Sequence, residues 1–218
     1  MDLLIFDCDG VLVESEFLAH RCEFAALQKL GCPFGQAEYV ELAVGLKSHQ
    51  IDALLRERHG FQVPEGFWDT MAGQLDQLLR TELVAVDGAV AAVRALDRAC
   101  CVASSSTTVR LRLSLGVTGL LPLFDGRIFS AEAVPRPKPA PDVYLYAARE
   151  MGRKPAQCLV IEDSLPGVQA ALAAGMRVLA FTGGRHITPA MAGRLRASGA
   201  HGWFGRMAEL PGLVAASA

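Results

Sequence analysis

The sequence predicts an α/β fold in which a Rossmann-like parallel sheet carries an inserted block of helices. The apolar run Leu3–Phe6 is typical of a strand that is buried on both faces. From residue 86 onward, short apolar runs alternate with helical patterns, which indicates parallel strands covered by helices on both faces. Residues 15–85 contain no convincing strand pattern, so this segment is predicted to be an all-helical insertion.

The insertion predicts two domains in this chain of 218 residues. Residues 1–14 and 86–218 would form the α/β core, and residues 15–85 would form a helical cap. Glycine and proline residues separate the helical patterns of the cap, because they end helices. The helices predicted there are Ser15–Leu30, Glu38–Ala43, Ser48–His59 and Glu65–Leu83.

The remaining chain predicts a regular alternation of helix and strand. The strands that follow the cap are Cys100–Ala103, Arg127–Ser130, Cys158–Ile161, Arg177–Phe181 and His201–Phe204. The helices between and after them are Gly88–Leu96, Thr107–Leu115, Asp142–Met151, Leu165–Ala174, Pro189–Ala197 and Met207–Val214.

Composition and charge exclude two classes of partner. A formal net charge of −2 provides no basic surface field for nucleic acid. No apolar run approaches the length of a membrane span, and the N-terminus enters a strand too early for a signal peptide. We therefore expect no nucleic acid and no membrane partner.

The six cysteines predict a reducing, cytoplasmic location. They form no C-x-x-C pair, and four of them lie in apolar runs that are typical of buried strands. These four are Cys8, Cys100, Cys101 and Cys158. No pattern indicates a large exposed apolar stripe, so we expect a monomer.

Two aspartates at the end of the first strand provide the clearest chemical signal. Side chains alternate along a strand, so Asp7 and Asp9 are expected to share a face while Cys8 points away. At a separation of about 4 Å and an effective dielectric near 20, two carboxylates repel each other by about 4 kcal/mol. A divalent cation or a shared proton would offset this repulsion. The plain structural alternative is a solvated turn at Asp9 and Gly10.

Further polar side chains follow other predicted strands. Ser104 follows the second strand, Glu162 and Asp163 follow the fourth, and Lys138 lies in a proline-rich loop. Parallel sheets bind ligands beyond the carboxyl ends of their strands, so these groups are expected to converge. Each has a structural alternative on its own: Ser104 and Glu162–Ser164 could cap helices, and Lys138 could be solvated. Those alternatives do not explain why four acids gather at one sheet edge.

In order and spacing, these segments resemble the four motifs of haloacid-dehalogenase-superfamily phosphatases that carry a helical cap after the first strand. The matching segments are Asp7–Val11, Ala103–Ser105, Pro137–Asp142 and Glu162–Ser164, with Gly167 and Gly175 behind. The match covers nearly the whole chain. It implies a Mg²⁺-dependent phosphomonoester hydrolase that acts on a small phosphorylated metabolite.

The resemblance also implies roles for the acidic residues. Asp7 would be the nucleophile that forms an aspartyl-phosphate, and Asp9 would be the general acid and then the general base. Asp7, the backbone carbonyl of Asp9 and Asp163 would hold Mg²⁺, while Glu162 would contribute directly or through water. Such a set of oxygen donors suits Mg²⁺ rather than zinc.

The remaining core residues would bind the phosphate. Ser104 and Lys138 would contact phosphate oxygens, with help from backbone N–H groups near Cys8, Gly10 and Ser105. Dehalogenation fits poorly, because dehalogenases lack the second aspartate of the first motif. A non-catalytic binding protein of this fold is also disfavoured, since no motif residue is missing.

Substrate choice is expected to lie in the cap. The stretch Gly45-Leu46-Lys47 resembles that of phosphatases acting on 6-phosphogluconate and related sugar phosphates. Lys47 could hold a sugar-acid carboxylate, and a solvated lysine is its structural alternative. Further cap candidates are Glu16, Ser15 and His20.

The alternative function is a β-phosphoglucomutase-type phosphotransferase. Such mutases carry a histidine shortly after the first motif and an arginine early in a cap helix. The corresponding positions here hold Ala19, with His20 one place further on, and Ser48. Both departures favour a phosphatase.

Overall fold

A computed structural model describes residues 1–43, 46 and 48–216 of the chain. Within this part, six strands form one sheet in the order β3-β2-β1-β4-β5-β6, and every neighbouring pair is parallel. The strands are β1 (Leu3–Phe6), β2 (Ala99–Ser104), β3 (Ile128–Ser130), β4 (Cys158–Glu162), β5 (Arg177–Phe181) and β6 (Gly202–Phe204). The predicted α/β class with a parallel sheet is thereby confirmed.

Eleven α-helices are found in the described residues. They are α1 (Ser15–Lys29), α2 (Gln36–Ala43), α3 (Ser48–His59), α4 (Phe67–Thr81), α5 (Ala89–Ala95), α6 (Thr108–Val117), α7 (Leu121–Phe124), α8 (Asp142–Glu150), α9 (Leu165–Ala173), α10 (Pro189–Arg196) and α11 (Leu210–Ala216). Short 3₁₀ helices are Ala131–Ala133, Pro155–Gln157 and Met207–Glu209. None of the described helices has the length and apolar character needed to cross a membrane.

Most bounds shift by one or two residues from the prediction, and three further differences have a local explanation. The short helix α7 was not predicted, because four residues are too few to show a helical period. The segment predicted as one helix over Met207–Val214 begins as a 3₁₀ turn and becomes α-helical at Leu210. The last cap helix begins at Phe67 rather than Glu65, since Gly66 adopts a left-handed conformation with φ of 73°.

The central strand places the first motif in the middle of the carboxyl edge of the sheet. Strand β1 is fully buried and pairs with β2 on one side and β4 on the other. Leu4 and Phe6 pack into the apolar cluster on one face, and Leu3 and Ile5 pack into the cluster on the other. Both faces are therefore apolar, as the continuous hydrophobic run of β1 predicted.

Helices α1–α4 lie between β1 and α5 in sequence and enclose an apolar cluster of their own. That cluster includes Phe24, Leu27, Tyr39, Leu55 and Met71. The two chain crossings on either side of these helices pair with each other, because Glu14 N donates to Val84 O and Val86 N donates to Leu12 O. The helices are thus attached to the α/β core through two adjacent strand-like segments.

Candidate active site

The turn after β1 brings the first motif against the fourth. Gly10 has a φ of 79°, which disfavours any residue with a side chain. A Cβ atom at this position would also lie 1.9 Å from Asp163 Oδ2 and 2.6 Å from His186 Cε1. Glycine is therefore required both by the backbone conformation and by the close approach of these two side chains.

Lys138 connects two of the predicted carboxylates at the base of the site. Its Nζ atom lies 2.6 Å from Asp7 Oδ1 and 2.8 Å from Glu162 Oε1, and it also lies over the ring of Tyr144. The lysine side chain is only 6% exposed. Burial acts to lower the pKa of Lys138, but the two carboxylates raise it well above its usual value, so the lysine is charged.

Glu162 is fixed by several contacts besides Lys138. Its Oε2 accepts hydrogen bonds from the backbone N and the hydroxyl of Ser164, at 2.7 and 2.9 Å, and its Oε1 accepts one from Tyr144 at 3.2 Å. A Cβ atom on Gly167 would lie 1.7 Å from Glu162 Oε1, so glycine is needed there to make room for the carboxylate. These contacts hold the side chain of Glu162 at the end of β4.

Three buried carboxylates form a candidate metal site. Asp7, Glu162 and Asp163 each present an oxygen, and these oxygens lie within 4.8 Å of one another. Burial raises the pKa of Asp7 and Asp163 well above the usual value, and Lys138 acts in the opposite direction on both. A set of hard carboxylate donors whose charges are poorly compensated fits Mg²⁺.

The side chain of Asp9 lies apart from this group and is held by serine hydroxyls. Ser15 donates to Asp9 Oδ1 at 2.5 Å, while Ser106 and Ser104 donate to Oδ2 at 2.7 and 3.3 Å. Ser15, which was a cap candidate for substrate specificity, thus contacts Asp9. The sequence analysis missed Ser106, although the run of three serines after β2 could have indicated it. Ser105 is exposed and lines the cavity described below.

His186 also contacts the candidate metal site and was missed by the sequence analysis. Its Nε2 lies 3.0 Å from Asp163 Oδ2, and burial lowers its pKa. Gly184 allows the loop after β5 to approach Gly10, because a Cβ atom there would lie 2.9 Å from Gly10 O. The pair Gly183-Gly184 at the end of a strand was the available signal for such a loop.

A cavity of about 550 Å³ joins these residues to the cap helices. Five charged residues of the core, which we call the cavity floor, line one end: Asp7, Asp9, Lys138, Glu162 and Asp163. Three residues of α1, which we call the cap wall, line the other: Glu16, His20 and Glu23. The predicted candidates Lys47 and Gly45 lie outside the described residues.

The histidine of the cap wall is neutral at physiological pH. His20 is buried, and burial together with His186 lowers its pKa to about 4. Its Nε2 lies 3.8 Å from Glu16 Oε2. Because the imidazole is neutral, the two side chains form no ion pair near neutral pH. Ala19 and Ser48, which the sequence analysis compared with the histidine and arginine of mutases, also line this cavity.

Comparison with known proteins identifies the family that this sequence matches. The haloacid dehalogenase-like hydrolase family matches residues 1–175. The chain is 28% identical to the 6-phosphogluconate phosphatase of Escherichia coli K12 over 190 residues, which covers 87% of this chain and 86% of that protein. It is 32% identical to hexitol phosphatase B of the same organism over 178 residues, covering 79% and 80%.

A solved structure is similar over the whole fold. A conserved haloacid dehalogenase-like protein of unknown function from Agrobacterium tumefaciens superposes with a TM-score of 0.95 at 36% identity, covering 100% of this chain and 99% of that one. The resemblance inferred from the four motifs is therefore confirmed.

Proposed function

The chain belongs to the haloacid dehalogenase-like hydrolase family, and we propose that it is a Mg²⁺-dependent phosphatase of small sugar or sugar-acid phosphates. The observation that carries this proposal is the cavity floor. There, Asp7 contacts a charged lysine and shares a candidate metal site with Glu162 and Asp163. Asp9 stands two residues away at the same cavity, and serine hydroxyls fix its orientation.

In the first step, the carboxylate of Asp7 attacks the phosphorus of the ester. The bond between phosphorus and the leaving oxygen breaks, and Asp9 donates a proton to that oxygen. The products are an aspartyl-phosphate and a free alcohol. Burial raises the pKa of Asp7, and Lys138, whose ammonium lies 2.6 Å from the carboxylate, opposes this shift and so favours the ionised nucleophile.

In the second step, a water molecule attacks the phosphorus of the aspartyl-phosphate. Asp9, now ionised, accepts the proton of this water, and the acyl phosphate bond breaks to release inorganic phosphate and the carboxylate of Asp7. Ser104, Ser105, Lys138 and the backbone N–H of Gly10 would orient the phosphate oxygens.

Mg²⁺ held by Asp7, the backbone carbonyl of Asp9, Asp163 and Glu162 would neutralise charge on the transferring phosphoryl group. The three carboxylates of the candidate metal site support this assignment, since they are close together and buried. The side chain of Asp9 does not belong to this group of carboxylates, which agrees with a ligand role for its carbonyl alone.

The substrate class rests on the relatives and on the shape of the site. Proteins named 6-phosphogluconate phosphatase and hexitol phosphatase cover most of this chain, and their names indicate a sugar-derived leaving group. The cavity volume is in the range of about 300–1,000 Å³ that small-molecule sites occupy. Both observations favour a small phosphorylated metabolite.

The cap, residues 15–85, would cover the substrate and exclude water during transfer. Contacts between the two parts support a closed arrangement. Glu41 of α2 accepts a hydrogen bond from Thr188 and pairs with Arg194 of α10 at 3.5 Å. Opening would break these contacts while the paired crossings near Glu14 and Val84 keep the two parts connected.

Phosphate release tests the proposed function. Purified protein is incubated with a panel of sugar, polyol and sugar-acid phosphates, with Mg²⁺ or with EDTA, and free phosphate is measured. Asp7→Asn serves as the inactive variant and Asp97→Asn, at an exposed position of the core, as its matched control. We expect Mg²⁺-dependent release that Asp7→Asn abolishes and Asp97→Asn retains.

The same assay distinguishes the mutase alternative. A mutase would release no phosphate from any ester of the panel but would convert β-glucose 1-phosphate to glucose 6-phosphate. That result would overturn the assignment as a hydrolase. The roles of Asp7 and Asp9 could still be tested by substituting them and measuring the conversion.

A further inference from the structure

The cap wall carries polar groups for which the proposed chemistry has no use. Glu16, His20 and Glu23 are spaced i, i+4 and i+7 on α1, so they lie on one face of that helix. All three line the cavity that holds Asp7. They therefore face the part of a substrate that projects from the phosphate toward the cap.

Glu23 is a fixed acceptor on this wall. The hydroxyl of Tyr39 donates to Glu23 Oε2 at 2.7 Å. Tyr39 is fully buried in the cap, where its ring packs between those of Phe24 and Phe34. Among the described residues, no second hydrogen bond to the Glu23 carboxylate is found, so its other oxygen is free to accept one from a ligand.

His20 provides an independent sign of a ligand. The residue is 6% exposed, and its Nδ1 atom is buried without a hydrogen-bond partner in the described part of the chain. A buried polar atom without a partner is costly, and a ligand that enters the cavity can supply that partner. Because the imidazole is neutral, the hydroxyl of a ligand can pair with it either as donor or as acceptor.

The charge of the cap wall selects among ligands. The described residues that line this half of the cavity include two carboxylates and no lysine or arginine. Lys138 on the floor is already paired with Asp7 and Glu162. Burial raises the pKa of Glu23 to about 7, and Arg110 of α6, which does not line the cavity, acts in the opposite direction. This carboxylate is therefore mostly ionised above pH 7. Carboxylates accept hydrogen bonds from hydroxyl groups and repel a second phosphate or a carboxylate.

We propose that Glu23, together with His20, forms a subsite that binds the hydroxyl groups of an uncharged, polyhydroxylated leaving group. The protein would then select monophosphates of sugars and polyols over sugar-acid phosphates and bisphosphates. This inference rests on the proposed phosphatase activity and narrows its substrate class. Glu23 acts as a specificity-determining residue, while Tyr39 is a positioning residue that holds its carboxylate.

The test compares an ester that can reach the cap wall with one that offers it no hydroxyl group. Values of kcat/KM are measured for sorbitol 6-phosphate and for phenyl phosphate with the wild type, Glu23→Ala, Glu23→Gln and Tyr39→Phe. Glu57→Gln, at an exposed position of α3, is the matched control. We expect Glu23→Ala to lower the ratio of the two kcat/KM values about 10- to 100-fold, mainly through the KM for sorbitol 6-phosphate, since the hydrogen bonds that the carboxylate accepts from substrate hydroxyls are lost.

Glu23→Gln and Tyr39→Phe should lower the ratio of kcat/KM values by smaller amounts. Glu23→Gln keeps one acceptor oxygen and should lower the ratio less than Glu23→Ala does. Tyr39→Phe should lower it by a few fold, because the carboxylate remains but is no longer fixed. Glu57→Gln should leave the ratio unchanged. An equal loss for both substrates in Glu23→Ala would show that Glu23 has only a structural role and would overturn the proposal.

Two further measurements separate this proposal from the proposed function. A higher kcat/KM for 6-phosphogluconate than for sorbitol 6-phosphate would show that the cap binds a carboxylate, if Lys47→Ala abolishes this preference. That result would overturn the subsite.

Binding of sorbitol 6-phosphate is also measured by calorimetry. If the wild type hydrolyses no ester but binds this ligand, and Glu23→Ala binds it at least tenfold more weakly, the subsite stands while the phosphatase assignment fails. Equal binding by both proteins would overturn the subsite.

Discussion

The two ends of the cavity differ in how firmly their charged residues are held. On the floor, the Glu162 side chain is 1% exposed and contacts Lys138, Tyr144 and Ser164. On the cap wall, the Glu16 side chain is 40% exposed, and its nearest basic partner among the described residues is His20, at 3.8 Å. The floor is fixed by strand ends and buried ion pairs, whereas the wall is a helix face on which Glu23 is held by a single hydrogen bond from Tyr39.

This difference separates reaction from selection. Groups that make and break bonds must be held closely, because small displacements of reacting groups cost rate. Groups that choose a leaving group can be exchanged on a helix surface without disturbing the sheet edge. Changes on the floor should therefore affect every ester, and changes on the wall should affect only some. The four predictions below test this contrast, from the largest expected effect to the smallest.

Replacing Asp9 should have the largest effect, and it should separate the two steps of the reaction. Asp9→Asn removes both the acid and the base, so kcat for sugar phosphates should fall by about 10²–10⁴-fold. With p-nitrophenyl phosphate the leaving group needs no acid, so the first step should remain faster than the second. We expect a burst of one nitrophenolate per enzyme in rapid-mixing experiments.

The control for this burst is Asp9→Asn combined with Asp7→Asn, which should give none. Asp97→Asn alone should show ordinary turnover. A single variant that releases nitrophenolate linearly, without a burst, would contradict the role of Asp9 as the base in the second step.

Much of the floor could be predicted from the sequence, and the reason is geometric. Asp7 follows β1, while Ser104 and Glu162 are the last residues of β2 and β4. The carboxyl ends of these parallel strands meet at one edge of the sheet, whatever the paths of the loops. The contacts of Asp9 with Ser15 and Ser106 depend on where α1 begins and on the path of the loop after β2. The run of three serines could have indicated Ser106, but not that it contacts Asp9.

The residues of the wall were harder to predict. His20 and Glu16 were among the cap candidates, but Glu23 was missed. Which face of α1 meets the cavity depends on the packing of the cap on the core, and the amphipathic pattern of this helix is weak. The loop that carries His186 was likewise visible only as a pair of glycines after a strand.

Removing the lysine of the floor should reduce stability strongly. Lys138→Met leaves Asp7 and Glu162 buried without their cation, and breaking a buried ion pair in this way costs about 3–5 kcal/mol. The free energy of unfolding, measured by urea denaturation in EDTA, should fall by this amount. Lys154→Met, at an exposed position, should change it by less than about 0.5 kcal/mol. An equal and small change in both variants would mean that the ion pairs do not stabilise the fold.

Binding of Mg²⁺ should stabilise the protein through the same carboxylates. At a concentration one hundred times its Kd, the cation adds about 2.7 kcal/mol to the free energy of unfolding. We therefore expect the Tm in EDTA to rise when excess Mg²⁺ is added, and to rise much less in Asp163→Asn. Asp97→Asn should respond as the wild type does. A similar rise in Tm for Asp163→Asn and the wild type would place the cation elsewhere.

The pH dependence of stability should reveal the charge on the cap wall. Burial raises the pKa of Glu23 from 4.5 to about 7 in the folded protein. A raised pKa contributes stability that is fully present below pH 4.5 and is lost as the pH rises through 7. Relative to Glu23→Gln, the wild type should therefore lose stability between pH 4.5 and 7. Because the side chain is only partly buried, we expect a loss of about 1–2 kcal/mol.

Urea denaturation of both proteins at a series of pH values measures this loss, with Glu57→Gln as a control that should follow the wild type. Parallel curves for the wild type and Glu23→Gln would mean that Glu23 is ionised across this range, as a solvated surface residue would be. The wall would then be an open surface rather than a partly desolvated one. A slope confined to pH 4.5–7 would instead show that the cap wall excludes enough water to control the charge of Glu23.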